Sequence, residues 1–224
     1  MTEELRLIFD WSEVWALLIP IFQLLLKPKQ PGYLRPVIFY LWAALLLNLL
    51  VDVLGEYNKF HRGTDSISNN PLYNMHSLIR FACFSYFFIL LRQAFFNKMK
   101  IIIPLLFILF LLLNFGFFNE NFFLRDHISG NLFSAEAFLL LVYCMLFYLS
   151  KLRDEVEIFR SGKDFWIVTG LSIYVVSNFF VFLFYVPMIT ENSQLANNMW
   201  DVHNVAYIIL CIFISKAFYV PAAN

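Results

Sequence analysis

The chain has 224 residues, of which 61% are apolar and only 14% are charged, and its 16 basic and 16 acidic residues give a formal net charge of zero. A soluble domain carries about 25% charged residues and has no interior large enough to hide so much apolar surface. The even balance excludes the basic excess of a nucleic-acid-binding protein, and the 28 phenylalanines exclude a disordered chain. The remaining class is a polytopic membrane protein.

The apolar runs predict seven transmembrane helices in a single domain that covers residues 1–224. A helix needs about 20 apolar residues to cross the hydrocarbon core, and short polar connections separate the runs. The predicted spans, in chain order, are approximately residues 11–26, 37–57, 72–95, 101–118, 131–152, 165–189 and 199–220. The expected fold is therefore all-α, a seven-transmembrane-helix bundle embedded in the lipid bilayer.

Lysine and arginine residues in the connections predict the orientation of this bundle. Most of the 16 basic residues flank the first, third and fifth connections or lie near the carboxyl terminus, as Lys27, Lys98, Lys151 and Lys216 do. Connections rich in Lys and Arg face the cytoplasm in membrane proteins. The sequence therefore predicts an amino terminus outside the cell and a carboxyl terminus in the cytoplasm.

Ionisable and amide side chains interrupt several predicted spans, toward their outer ends. The candidate residues for binding a ligand or ion are Asn48, Asp52, Glu56, His76, Arg80, Glu136, Asn178, Asp201, His203 and Asn204. Their positions place the ionisable groups roughly 6–12 Å below the outer boundary, at a rise of 1.5 Å per residue. Residues four apart share a helix face, as His76 and Arg80 do, and polar faces are costly against lipid. The sequence therefore predicts an outward-facing polar pocket inside the bundle.

The pocket has several possible roles, of which binding or sensing of a small ligand or ion is the leading one. A structural role is the simplest alternative, with Arg80 paired to Asp52 or Glu136 to hold helices together. A metal-dependent hydrolase is another, because His76, His203 and Glu136 offer ligands that zinc accepts, although no paired-histidine motif is present.

Two further roles depend on single features of the last two spans. Gly170 and Pro187 are mild helix breakers in the sixth span, which keeps a small-solute transporter open as a second alternative. A retinal protein is disfavoured because Lys216 lies near the cytoplasmic end of the last span and not near its middle, where a Schiff-base lysine is needed.

Three segments set polar residues into aromatic-rich spans: NNPLYNMHSLIRF, FWIVTGLSIYVVSNFF and MWDVHNVAYIIL. In this pattern the chain resembles small seven-helix bacterial membrane proteins, and its topology is similar to the seven-helix sensory regions that precede some bacterial histidine kinases. The resemblance implies a location in the bacterial inner membrane and a sensing role. Because no kinase domain follows the bundle in this sequence, signalling would need a cytoplasmic protein partner.

Overall fold

The computed structural model describes residues 9–60, 68–91, 97–117, 122–123, 128–153 and 162–221. Within these ranges the regular structure is helical throughout, which confirms the all-α prediction. The helices are α1 (Ser12–Leu26), α2 (Arg35–Phe60), α3 (Asn70–Leu90), α4 (Asn97–Gly116), α5 (Gly130–Arg153), α6 (Lys163–Glu191) and α7 (Ser193–Tyr219), and a 3₁₀ turn (Gly32–Leu34) leads into α2.

All seven predicted spans form helices, and five of them, α2 and α4 to α7, are long and apolar enough to cross a membrane. These helices are compatible with an integral membrane protein. Helix α1 has 15 residues, which at a rise of about 1.5 Å per residue is shorter than the roughly 30 Å hydrocarbon core. Helix α3 is long enough, but its amide and ionisable side chains, among them Asn74, His76 and Arg80, lower its hydropathy.

Two helix ends lie more than four residues from the predicted span ends. Helix α7 begins at Ser193, not near residue 199, because the Asn192 side chain accepts a hydrogen bond from the Leu195 amide at 3.1 Å and caps the helix. Helix α3 ends at Leu90, and the end predicted near residue 95 lies outside the described residues. The predicted connection TENSQLANN is thus mostly helical.

Six of the helices form a closed ring in the order α1, α2, α3, α5, α6 and α7, with α7 returning to α1. Helix α4 packs outside this ring against α3 and α5, and it turns large apolar residues such as Ile101, Leu105 and Leu112 outward. Apolar side chains on an outer surface are those expected of a bundle surrounded by lipid. The ring gives the molecule an interior to which six helices contribute.

Helices α6 and α7 approach closely at Gly170, which interrupts neither helix. A Cβ atom at this position would lie 2.5 Å from Cβ of Phe213 on α7, so only glycine fits the contact. The mild helix breakers Gly170 and Pro187 do not interrupt the sixth span, since α6 runs without a gap from Lys163 to Glu191. Gly170 serves helix packing instead.

Lysine side chains cap helix carboxyl ends at one end of the bundle. Buried Lys163, in the first turn of α6, donates from Nζ to the carbonyl oxygens of Ala217 at 3.0 Å and Val220 at 2.5 Å, beyond the last turn of α7. Lys27 donates to the Tyr219 carbonyl at 2.7 Å, and buried Lys100 donates to the Leu91 carbonyl after α3. These cations satisfy carbonyl groups that have no partner within their helices and oppose the negative end of each helix dipole.

Candidate functional site

A buried ion pair joins α3 to α5 inside the ring. Arg80 donates from Nε to Oε1 of Glu136 at 2.5 Å and from Nη2 to Oε2 at 2.8 Å, and the Ser77 hydroxyl donates to the same Oε2. Both charged side chains are almost fully buried, at 4% and 2% exposure. The two parallel hydrogen bonds match the planar guanidinium to the planar carboxylate, and Ser77 occupies a further lone pair. Glu136 is therefore committed to Arg80 and Ser77.

A second buried cluster centres on His203 and joins α7 to α1 and α6. Nδ1 of His203 lies 2.5 Å from Oδ1 of Asn178, and Nε2 lies 2.8 Å from Oε1 of Glu13. The Asn178 amide donates from Nδ2 to the Tyr174 carbonyl at 2.8 Å, which leaves its oxygen to accept from the ring. Nδ1 of His203 thus carries a proton, and a second proton lies between Nε2 and Glu13, on either the ring or the carboxyl group.

Aromatic rings connect the two clusters. Tyr174 lies between them, with its ring centroid 5.0 Å from Cζ of Arg80 and 5.8 Å from the His203 ring. His76 stacks on Tyr40 at 5.8 Å and meets the edge of Tyr207 at 6.4 Å. We call the whole set the polar layer, which consists of Glu13, Tyr40, His76, Ser77, Arg80, Glu136, Tyr174, Asn178, His203 and Tyr207.

Several buried polar atoms in and beside the polar layer have no hydrogen-bond partner among the described residues. They are Oγ of Ser12, Oδ1 of Asn48, Nε2 of His76, Oη of Tyr174 and Oδ1 of Asn204. Two of these atoms belong to amides that the start of α1 holds in place, because Asn48 donates to the Glu13 carbonyl at 3.1 Å and Asn204 donates to the Phe9 carbonyl at 3.3 Å. The unpartnered oxygens of Ser12 and Asn48 thus lie at the first turn of α1, and that of Asn204 lies beside Phe9, just before this helix.

Arg80 and His203 lie farther from the starts of α3 and α7 than from the starts of the predicted spans. Arg80 and His203 each lie about 15 Å along the axis from the start of their helix, at 1.5 Å per residue. The predicted depths were smaller because α3 and α7 begin before the predicted spans do. Glu13, by contrast, lies in the first turn of α1, so this short helix begins inside the ring at the level of His203.

Aromatic side chains cover the polar layer on the side of the predicted outer boundary. The Trp200 ring lies 5.2 Å from the His203 ring, and Tyr73 and Tyr185 each lie 5.5 Å from Trp200. Phe182 adds a contact of 5.2 Å to His203. The residues predicted to line an open outward pocket therefore meet in a covered interior.

Not every predicted site residue belongs to the polar layer. Arg80, Glu136, His76, His203 and Asn178 are within it, and Asn48 and Asn204 lie beside it. Asp52 and Glu56 lie on the same face of α2 as Asn48, but they are only half-buried. Asp201 does not share the inward face of Asn204 and lies in a groove on the outer surface between α6 and α7.

The predicted metal site is not assembled from the predicted ligands. Glu136 bonds Arg80 and Ser77, His203 bonds Asn178 and Glu13, and His76 stacks on Tyr40. Among the described residues, no group of three or more His, Cys, Asp or Glu side chains is placed to hold a metal ion. The structure gives no support to His76, His203 and Glu136 as one ligand set, because hydrogen bonds within the bundle already engage the ligand atoms of two of its members, and the set stays a prediction.

Sequence reasoning missed Glu13, Ser77 and the three tyrosines of the polar layer. Glu13 lies near the start of the first predicted span. Nothing in the sequence gives the length or tilt of α1, which together bring Glu13 to His203. A carboxylate in the first turn of an otherwise apolar helix was the available signal. Ser77, which directly follows His76, and Tyr207, one turn after His203, lie on faces that the neighbouring histidines already marked.

Comparison of the chain with protein-family models, with curated proteins and with solved structures finds no match in any of the three. The resemblance to seven-helix bacterial membrane proteins thus stays a prediction from the sequence.

Proposed function

We propose that the chain is an integral membrane protein that binds a small ion in the polar layer and senses it. The leading ligand class is a monovalent cation, either an alkali ion or an ammonium ion. The observation that carries the proposal is the set of five buried polar atoms without described partners, of which Oγ of Ser12 and Oδ1 of Asn48 lie at the first turn of α1. Each such atom costs about 1–3 kcal/mol, so five together cost roughly as much as the about 5–15 kcal/mol that stabilises a typical fold.

The identity of these atoms favours a ligand that offers positive charge or donates hydrogen bonds. The amide oxygens of Asn48 and Asn204 are acceptors only, and the Ser12 and Tyr174 hydroxyls can accept as well. Oxygen atoms of this kind are the usual protein ligands of hard cations. A divalent ion is disfavoured because Glu136 already neutralises Arg80.

Charge balance in the buried interior requires that the cation exchange with a proton. Arg80 and Glu136 sum to zero, and so do Glu13 and His203 with the proton between them. When a monovalent cation binds near Glu13, release of that proton leaves a carboxylate and a neutral imidazole and restores zero charge. The titratable groups that interact electrostatically with the pair are Tyr73 and His76 on α3, Tyr174 on α6, and Tyr207 and Cys211 on α7.

A sensing role follows from what the polar layer connects. Its side chains belong to α1, α2, α3, α5, α6 and α7, so a change in occupancy or protonation alters contacts in every helix of the ring. With the predicted orientation, the lysine-capped end of the bundle faces the cytoplasm, where a protein partner reads the change. A bacterial inner membrane is the location that we propose for this arrangement.

The test is a cation titration of the full chain in lipid nanodiscs, read by tryptophan fluorescence, since Trp200 contacts His203. NaCl, KCl and NH₄Cl are each exchanged against choline chloride at constant ionic strength. We expect one of the three to give a saturable change. A response identical to choline for all three cations contradicts the proposal.

Matched serine variants locate the response. Ser12 and Ser85 are both buried, but Ser85 lies further along α3 beyond Arg80, next to Tyr143. Ser12→Ala should weaken the cation response, and Ser85→Ala should leave it unchanged. Equal effects of the two variants would place the response outside the polar layer.

Transport is the second candidate, and the position of α1 favours it. This helix is short, begins inside the ring beside His203, and follows a turn at Trp11. Transporters use short or broken helices that end at the substrate site. Uptake of ²²Na⁺ or ¹⁴C-methylammonium into proteoliposomes separates the candidates, since a sensor binds the ion without accumulating it.

The hydrolase alternative gains no support from the polar layer. A hydrolytic zinc needs three protein ligands and an open position for water. The carboxylates that would serve, Glu13 and Glu136, are bonded to His203 and Arg80.

A further inference from the structure

A polar feature separate from the polar layer lies on the outer surface of the bundle, between α6 and α7. A groove of about 300 Å³ runs there, lined by Phe9, Ile173, Ser177, Asp201, Val205 and Ile209 among others. Its volume reaches the lower end of the range for small-molecule sites, about 300–1,000 Å³. The groove therefore has room for one slender molecule.

Asp201 is the charged group of this groove. The two residues that follow Asp201 show which side of α7 faces outward. Val202 is half-exposed on the outer surface, whereas His203 is buried in the polar layer. Asp201 itself is half-buried in the groove wall, and it forms no ion pair or hydrogen bond with any described residue. An unpaired carboxylate on a helix that is apolar enough to span a membrane marks a functional site by default.

The groove is polar at one end and apolar at the other. Asp201 and Ser177 lie toward the same end, because α6 and α7 are antiparallel and Asn178, next to Ser177, contacts His203 at 2.5 Å. Ile173, Val205 and Ile209 line the rest, and Ile209 lies about 12 Å along α7 from Asp201. A ligand that matches this groove has a polar head at Asp201 and an apolar chain, about 12 Å long or longer, that reaches Ile209.

The groove opens on the face that the apolar helices turn toward lipid. Val202 and Val205 are 50% and 44% exposed on the same face of α7, and Phe180 and Leu183 continue the exposed apolar surface of α6. Phe9, whose carbonyl is held by Asn204, closes the groove on the side of α1. An occupant therefore enters sideways from the bilayer and not through the polar layer.

We propose that this groove binds a single-chain amphiphile with a primary ammonium head. The ammonium group pairs with the Asp201 carboxylate and donates to the Ser177 hydroxyl, and the alkyl chain lies along Ile173, Val205 and Ile209. Charge complementarity selects the head, since a carboxylate beside lipid requires a cation and a neutral or anionic head leaves it unpaired. The site does not rest on the proposed ion binding, because none of its side chains belongs to the polar layer.

The experiment is photolabelling of the full chain in nanodiscs of phosphatidylcholine, a lipid whose head group carries no primary amine. The probe is dodecylamine with a diazirine near the chain terminus, and dodecanol with the same diazirine is the matched neutral probe. Peptide mass spectrometry is expected to find saturable labelling near Ile209 and Ile173 with the amine. Excess unlabelled dodecylamine should suppress this labelling, and the alcohol should label these residues about tenfold less or weaker still.

Three variants separate a specific site from partition into the bilayer. Asp201→Asn should reduce the amine labelling about tenfold, to the level of the alcohol. Glu191→Gln removes an exposed carboxylate at the neighbouring end of α6, outside the groove, and should leave the labelling unchanged. Val205→Phe fills the groove while Asp201 stays, and it should abolish labelling at Ile209. Equal labelling by amine and alcohol, or no effect of Asp201→Asn, would overturn the proposal, whatever the cation titration of the polar layer gives.

Discussion

Removal of either member of the buried pair Arg80–Glu136 should destabilise the bundle much more than removal of both. The guanidinium and carboxylate form two hydrogen bonds, at 2.5 and 2.8 Å, and the side chains are 4% and 2% exposed. A single change leaves a buried charge without its counter-charge, which costs about 3–5 kcal/mol in buried pairs. We therefore expect Arg80→Met and Glu136→Leu each to lower the free energy of unfolding by about this amount.

The double variant measures the coupling. Arg80→Met combined with Glu136→Leu replaces both charges by apolar side chains of similar size, and such exchanges are often close to neutral. The free energy of unfolding is measured by titration with SDS in mixed micelles, with helicity followed by circular dichroism. We expect the double variant to recover most of the loss, with a coupling energy of at least about 2 kcal/mol between the two positions. Additive losses would refute the argument, because they would mean that the two side chains stabilise the fold independently.

The same unfolding measurement tests three further features. Glu13→Leu leaves Nε2 of His203 buried without a partner and should lower the free energy of unfolding by about 1–3 kcal/mol. Glu13→Gln keeps a hydrogen bond and should lower it less, and equal losses would contradict the assigned contact. Lys163→Met uncovers carbonyl groups beyond the last turn of α7 and should cost about 1–3 kcal/mol, whereas a neutral result would mean that water caps them equally well. Gly170→Ala pushes a Cβ atom against Phe213 and should lower the free energy of unfolding by about 1–3 kcal/mol, and adding Phe213→Ala should recover most of this loss. A stabilising Gly170→Ala would show that α6 and α7 separate easily.

The sequence predicts the helices well because their signal is local. Long apolar runs between short polar connections need no knowledge of tertiary contacts, and each predicted span coincides with a helix. The predicted position of a helix end is wrong where a single side chain determines it. At Asn192, for example, the side-chain cap starts α7 earlier than hydropathy indicates. Hydropathy averages over a window and does not detect a cap.

The polar layer is predictable only in part because its partners are set by packing between helices. The inward faces of His76, Arg80 and His203 follow from helical periodicity, and the structure buries all three. Which carboxylate meets which cation does not follow, so Glu13 was overlooked as the partner of His203. Asp201 shows the same limit, since it lies two residues, just over half a helical turn, from inward-facing His203, and sequence periodicity leaves both positions open for it.

The central claim is that the polar atoms around the first turn of α1 bind a monovalent cation. Crystals of the chain in which Na⁺ and K⁺ are replaced by Rb⁺ test this most directly, through the anomalous scattering of rubidium. We expect an anomalous peak inside the bundle, within coordination distance of Oγ of Ser12 and Oδ1 of Asn48, which lie beside Glu13. The absence of an anomalous peak there, with Ser12, Asn48 and Asn204 bonded to one another, would contradict the claim.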